Sequence, residues 1–269
     1  MCHIVRQDMS GFEMMVLAAA AAAAGVVNAV AGGGTLITFP ALLTFGTPSI
    51  VANATSTLAL VLGTGGSVYG YRRQIAEVTP WLRRFVPVSL LGGLLGGILL
   101  TTTREEVFAK MVPFLLLFAT VLFVTQDTFR RFAGLENPSG STVTPHHPTV
   151  WLAVAFQFLV ALYGGYFGAG IGILMLASLS CLGLTDIHQM NGLKTMLGML
   201  INLVAAAYFI VAGLIDWPKA GVMTAGAIVG YFLGAHYAQR IPQHRVRLII
   251  SAIGFLITAV LFYRQFLRS

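Results

Sequence analysis

The sequence predicts an all-α integral membrane protein of about ten transmembrane or broken helical segments, arranged as two inverted repeats of five with short, broken second and seventh segments. Three observations carry that expectation. Of the 269 residues, 57% are hydrophobic and only 9% charged, with a mean hydropathy of +0.84, more apolar surface than one soluble core can hide. The apolar runs are continuous rather than alternating, and because lipid leaves backbone groups no partner but the chain itself, continuous runs mean helices rather than a barrel. Finally, the two halves match at a fixed offset.

The segments fall near 13–31, 35–46, 50–70, 81–101 and 107–126, then near 149–167, 171–183, 187–213, 218–237 and 247–266. The beginning, "MCHIVRQDMSGFEMMVLAAAAAAAG", resembles a cleaved signal peptide, but its apolar run continues past Gly25 with no polar mature start, so it reads as the first span. The second segment, 35–45, would be about 16 Å long as a helix, too short to cross alone, and Pro40 removes a backbone donor inside it. The third opens on Asn53, Thr55, Ser56 and Thr57. The stretch "QDTFRRFAGLENPSGSTVTPHHP", 126–148, is the one real linker, and its histidine pair reads as a solvated loop feature. These boundaries divide the chain into an N-terminal repeat, 1–129, a cytoplasmic linker, 130–148, and a C-terminal repeat, 149–269.

At an offset of 138 residues, Gly32 pairs with Gly170, Gly34 with Gly172, Asn53 with Asn191, Thr57 with Thr195, Pro80 with Pro218, Gly92 with Gly230 and Gly96 with Gly234. Matched Ala and Leu are cheap in such a composition; matched Asn, Pro and Gly in one register indicate a duplication, the usual ground plan of secondary transporters. The net charge of +7 orients it. Arg72, Arg73, Arg83 and Arg84 face only Glu77 in the loop after the third segment, and Arg104 and Lys110 balance Glu105 and Glu106 in the next. In the second half the order reverses: Asp216 and Lys219 cancel, and Arg240, Arg245 and Arg247 follow. Loops equivalent in sequence thus prefer opposite sides. The expected topology puts 70–84, 127–148 and 238–247 in the cytoplasm and both termini outside. Short arginine clusters between spans make no basic face for nucleic acid.

Irregular backbone at membrane depth persists only where protein buries it or a cavity needs it. The Gly32, Gly33, Gly34 turn and its counterpart around Gly170 and Gly172 would free amides at helix N-termini, which favour anions. Gly92/Gly96 and Gly230/Gly234, with small-xxx-small spacing, read instead as helix-packing sites. The most informative residue is Lys194 in "MNGLKTMLGMLINL": an ionisable group in a span costs at least about 2.5 kcal/mol and points to function, against the alternative of a lysine snorkelling to the surface. Asn191, Lys194 and Thr195 share a helical face, with Asn202 further on. Asn53 and Asn191 are expected to line one central cavity. No carboxylate sits at mid-membrane to relay protons or to pair with Lys194, which suits a small anionic substrate.

Other classes fit less well. Cys2 and Cys181 make no disulfide framework. An intramembrane enzyme would need a nucleophile with its base, paired carboxylates or a metal cluster; the histidines have no metal-binding spacing within a span, no G-x-S-x-G occurs, and "GAGIG" lacks the dinucleotide spacing. No cofactor, metal or catalytic residue is expected. A structural protein that holds partners would leave the duplicated polar clusters and Lys194 unexplained. Neither a coupling ion nor an oligomeric state is encoded in a recognisable motif.

The stretches "GVVNAVAGGGTLITFPALLTFGTPSIVANATSTLALVLG", "GYRRQ", "MNGLKTMLGMLINLVAAAYFIVAGLIDW", "GYFLGAHYAQRIP" and "VRLIISAIGF" resemble the TauE/SafE family, in its YfcA-like branch, over nearly the whole chain from about Gly11. The resemblance implies a multi-pass transporter of the bacterial inner membrane, some members exporting sulfite, sulfoacetate or other organosulfur anions. The family pattern carries over to Asn28, Gly32, Gly33, Gly34, Pro40, Asn53, Asn191, Lys194 and Asn202. At "GAGIGI", Ile171 interrupts the glycine run that many members show, which gives the first glycine turn more weight than the second.

Overall fold

The computed structural model describes residues 9–30, 33–132, 147–180, 187–237 and 243–267. Among these it is helical throughout, without strands: α1 (Gly11–Val30), α2 (Thr35–Thr44), α3 (Ser49–Gly70), α4 (Arg72–Glu77), α5 (Thr79–Thr102), α6 (Glu105–Phe132), α7 (His147–Tyr166), α8 (Ile171–Ser180), α9 (Ile187–Val211), α10 (Trp217–Tyr237) and α11 (Gln243–Phe262), closed by a π-helical turn, Tyr263–Leu267. Four stretches, Gly11–Ala29, Thr79–Thr102, Glu105–Thr125 and Gln189–Val211, are long and apolar enough to cross a membrane. The ten expected segments each meet a helix. Two differences arise in the polar stretches. The loop after the third segment folds as the short helix α4, and α6 runs on to Phe132, seven residues into the stretch read as linker. Both stretches are rich in residues with good helix propensity, which apolar periodicity does not register.

Local chemistry explains the ends. α2 stops because Gly46 turns left-handed at φ +72°, with the Gly46 N–H donating to the Leu43 carbonyl and the Thr47 N–H to that of Leu42, and Pro48 follows. α9 stops the same way at Gly213, φ +71°, where the Leu214 N–H donates to the Phe209 carbonyl. The breaks before the two short helices differ. Gly33 is left-handed at φ +94° before α2, whereas Gly168 and Gly170 take that role before α8, at +81° and +80°. Ile171 is therefore free to begin α8 as an ordinary helical residue, which is why the glycine run can be interrupted there.

Each half of the chain lends a helix to the other. α1 packs most extensively on α10, and its equivalent α7 on α5; α10 also packs on α3, and α5 on α9. Glycines allow the close approach. A methyl group on Gly230 would stand 2.0 Å from the Ala22 carbonyl oxygen, and one on Gly96 2.1 Å from that of Leu162. Gly92 and Gly234 are met somewhat less tightly, a methyl on Gly92 standing 2.7 Å from Ala161 and one on Gly234 2.8 Å from Ala29 and Val26. The glycine pairs thus pack helices, as their spacing predicted.

α3 and α9 meet and run in opposite directions. The first turns of α9 lie against α4, which follows the end of α3: Gly192 sits on Gln74 and Ile75, and the Gln189 amide donates to Glu77 at 3.0 Å. The loop after α9 reaches the beginning of α3, where the Asp216 N–H donates to Thr55 and the Lys219 ammonium to Thr47. Outward, α6 presents the exposed stripe Phe114, Phe118 and Val121 at i, i+4, i+7, and α9 presents Leu203 and Ile210. Such apolar stripes suit contact with lipid.

Candidate functional site

The site residues divide into a set that the fold consumes and a set that it leaves open. The first-half set is consumed. Asn28, near the end of α1, donates to the Tyr231 hydroxyl at 2.9 Å and accepts the Gly34 N–H at 2.7 Å, capping the turn into α2. The Gly34 amide is therefore not a free anion donor, a correction to the expectation from the glycine turn. The amides of Leu36, Ile37 and Thr38 are bonded to Gly33 and Gly34 carbonyls. Gly33 faces the Phe123 ring, Pro40 is buried within α2, and Gly32 lies outside the described residues. Thr38 and Ser56 share a hydrogen bond of 2.6 Å, Thr55 accepts from Asp216, and Thr57 donates to the Asn53 carbonyl.

Asn53 is fully buried and reaches across to the second half of the chain, donating to the carbonyl of Tyr166, the last residue of α7, at 3.0 Å; among the described residues its own side-chain oxygen has no hydrogen-bond partner. Asn202, on α9, faces the same break, its oxygen 3.6 Å from where a Gly168 methyl would stand. Residue 53 of α3 is thus level with residue 202 of α9. Because the helices run in opposite directions, Asn191 lies roughly 16 Å further along the bundle. The residues that meet at one break are Asn53 and Asn202, not the sequence equivalents Asn53 and Asn191.

The second-half set is less engaged among the described residues. Asn191, Lys194, Thr195, Gly198 and Asn202 form one half-buried stripe of α9, at i, i+3, i+4, i+7 and i+11. Among the described residues no hydrogen bond reaches the side chains of Asn191, Thr195 or Asn202, and a methyl on Gly198 would meet nothing within 4 Å. The stripe lies roughly a third of a turn from the lipid-suited residues Leu203 and Ile210. Lys194 lies across the start of α8, its Cδ 3.3 Å from where a Gly172 methyl would be. Lys194 is engaged within the protein rather than lacking a fixed partner, so a substrate would compete for it.

Gly172 is the counterpart of Gly34, yet among the described residues no acceptor takes its N–H: the residue equivalent to Asn28 is Tyr166, whose hydroxyl points to Met111 instead. At the α8 N-terminus this amide and a lysine therefore stand together. Gly170, at the same turn, packs toward Ala119 and Leu122. The role of Tyr231, which joins Asn28 to Thr64 by hydrogen bonds of 2.9 and 3.0 Å, was not legible in sequence, since its partners lie 203 and 167 residues away. Among the described residues no cluster of His, Cys, Asp and Glu could hold a metal ion.

Comparison with known proteins adds the following. The family described as "Sulfite exporter TauE/SafE" matches residues 17–261. A "Probable membrane transporter protein" of Haemophilus influenzae is 30% identical over 250 residues, covering 89% of this chain and 90% of the relative. "Probable membrane transporter protein ORF9" of Sinorhizobium sp is 28% identical, covering 79% and 78%, and "Probable membrane transporter protein YfcA" of Escherichia coli K12 is 24% identical, covering 87% and 82%. No solved structure matches the chain.

Proposed function

Because this chain belongs to the sulfite exporter TauE/SafE family, we propose that it is a secondary transporter that moves small organic or inorganic anions, such as sulfite or sulfonates, across the bacterial inner membrane by alternating access. The observation that carries this reading is the contrast between two equivalent helix starts. At α2 the Gly34 amide is occupied by Asn28; at α8 no acceptor among the described residues takes the Gly172 amide, and Lys194 lies across it. An open helix N-terminus and an ammonium attract an anion, and the stripe of Asn191, Thr195 and Asn202 offers donors and acceptors in line with them. The antiparallel α3 and α9 support inverted repeats, with 1–129 and 149–269 as the duplicated units and 130–148 between them. A cell interior negative by 100 mV drives each anionic charge outward by about 2.3 kcal/mol, so export needs no coupling ion.

Counterflow in proteoliposomes tests the proposal, with labelled sulfite, a sulfonate, thiosulfate and a carboxylate as probes. The expected outcome is saturable exchange of at least one of them. Lys194→Gln keeps most of the length and removes the charge; it should abolish that exchange while the protein still inserts and purifies as a single species. Lys194→Arg should retain a fraction, because a planar fork fits the same space differently. Exchange by Lys194→Gln at the parent's rate would overturn the anion site.

A further inference from the structure

We infer that the bodies that move against each other are not the two sequence halves but two helix-exchanged bundles: α1, α2, α3 and α10 in one, and α7, α8, α9 and α5 in the other. The inference rests on the alternating-access reading only for the purpose of the motion; the composition of the bundles rests on packing alone.

Within each bundle the exchanged helix is locked along its length. α1 and α10 run parallel and touch backbone to backbone: methyl groups on Gly226, Gly230 and Gly25 would stand 2.3 Å from the Ala18 carbonyl oxygen, 2.0 Å from that of Ala22 and 2.5 Å from that of Ala227. At the shared beginning of the two helices Lys219 and Glu13 form an ion pair of 3.0 Å, their side chains only 13% and 15% exposed. Further along, the Tyr231 hydroxyl binds Asn28 of α1 and Thr64 of α3, and its ring fills the space over Gly63. The other bundle repeats the pattern. A methyl on Gly96 would stand 2.1 Å from the Leu162 carbonyl oxygen and one on Gly165 2.1 Å from that of Gly93, while Gly93 and Gly97 lie on Ile201 and Phe209 of α9. Val78 and Phe85, at the beginning of α5, belong to a buried cluster made with α7, α8 and α9. Close-packed backbones cannot slide or part without opening voids, so each pair moves as a unit.

Between the bundles the buried residues divide: the cluster made by α5, α7, α8 and α9 is separate from a second one that holds the core residues of α1, α2, α3 and α10, and the bundles meet where Phe167 and Phe209 join that second cluster. Gly65 and Gly66 of α3 and Gly198 of α9 each have open space within 4 Å of a would-be methyl.

Pulsed electron resonance distances between spin labels decide the matter, since same-half and same-bundle pairs make opposite predictions. Phe12, Leu99, Trp151 and Phe232 are all exposed, at 66%, 49%, 65% and 73%, on α1, α5, α7 and α10. With Cys2 and Cys181 replaced by Ser, four double variants are labelled and placed in liposomes, with and without sulfite as the probe. Phe12→Cys with Phe232→Cys, and Leu99→Cys with Trp151→Cys, should each give one narrow distance that does not respond to conditions. Phe12→Cys with Leu99→Cys, and Trp151→Cys with Phe232→Cys, should give broad or two-peaked distributions. The reverse assignment, four equally narrow distributions or four equally broad ones would each overturn the inference. The comparison of widths needs no bound anion, so failure of sulfite to exchange would count against the proposed function and leave this result standing.

Discussion

Glu105 in the first turn of α6 caps Ile50 in the first turn of α3: its Oε2 accepts the Ile50 N–H at 3.0 Å, while its Oε1 accepts that of Ser49. The residue before α3 is Pro48, which has no side-chain oxygen to cap the helix, so a carboxylate 55 residues away supplies the acceptor. It also places a negative charge at the positive end of the helix dipole.

Removing that cap should loosen the α2–α3 corner. Glu105→Ala is expected to cost about 0.5–2 kcal/mol, the range for lost N-caps, and to lower the unfolding midpoint in detergent by several degrees. Glu105→Gln keeps one acceptor oxygen and should recover part of the loss. An unchanged midpoint in Glu105→Ala would show that solvent replaces the carboxylate without penalty.

The close helix pairs predict a sharp contrast between glycines. Gly230→Leu would drive a side chain into the Ala22 backbone, where even a methyl stands 2.0 Å from the carbonyl oxygen, and neither backbone can retreat without separating α1 from α10. Its folded yield, read as the monodisperse peak of a fluorescent fusion, should collapse. Gly198→Ala, with nothing within 4 Å, should fold as the parent does, because it adds helix propensity in open space. Equal yields from the two would contradict the packing described.

The contrast also marks how much was legible in the sequence. Apolar runs placed the long helices well, because burial in lipid forces helix wherever polarity is low. α4 escaped because its residues are polar and its hold on α9 is tertiary. Gly92, Gly96, Gly230 and Gly234 announced close packing but not on whom, so the exchange of α5 and α10 between repeats could not be read. Lys194 was legible because a charge in a span is rare. The capping of Gly34 by Asn28 was not, since it depends on a turn that brings a side chain back on its own chain, and on a tyrosine from the far repeat that holds that side chain in place.

The two helix starts should separate under one small substitution. Gly34→Ala would place a methyl 2.7 Å from the Ala24 carbonyl oxygen and 2.8 Å from the Asn28 amide nitrogen, so it breaks the cap and should lower folded yield. Gly172→Ala meets only the flexible Lys194 stem, 3.3 Å from Cδ, and leaves the helix a better former than glycine. Lys194 must then shift by a few tenths of an ångström away from the α8 amides. The expected result is a folded, thermally unimpaired protein whose anion exchange in proteoliposomes falls several-fold, with the loss mainly in apparent affinity. If Gly172→Ala exchanges anions at the parent's affinity while Gly34→Ala folds normally, then neither helix start has the role given to it, and the lysine must work at another point on the α9 stripe.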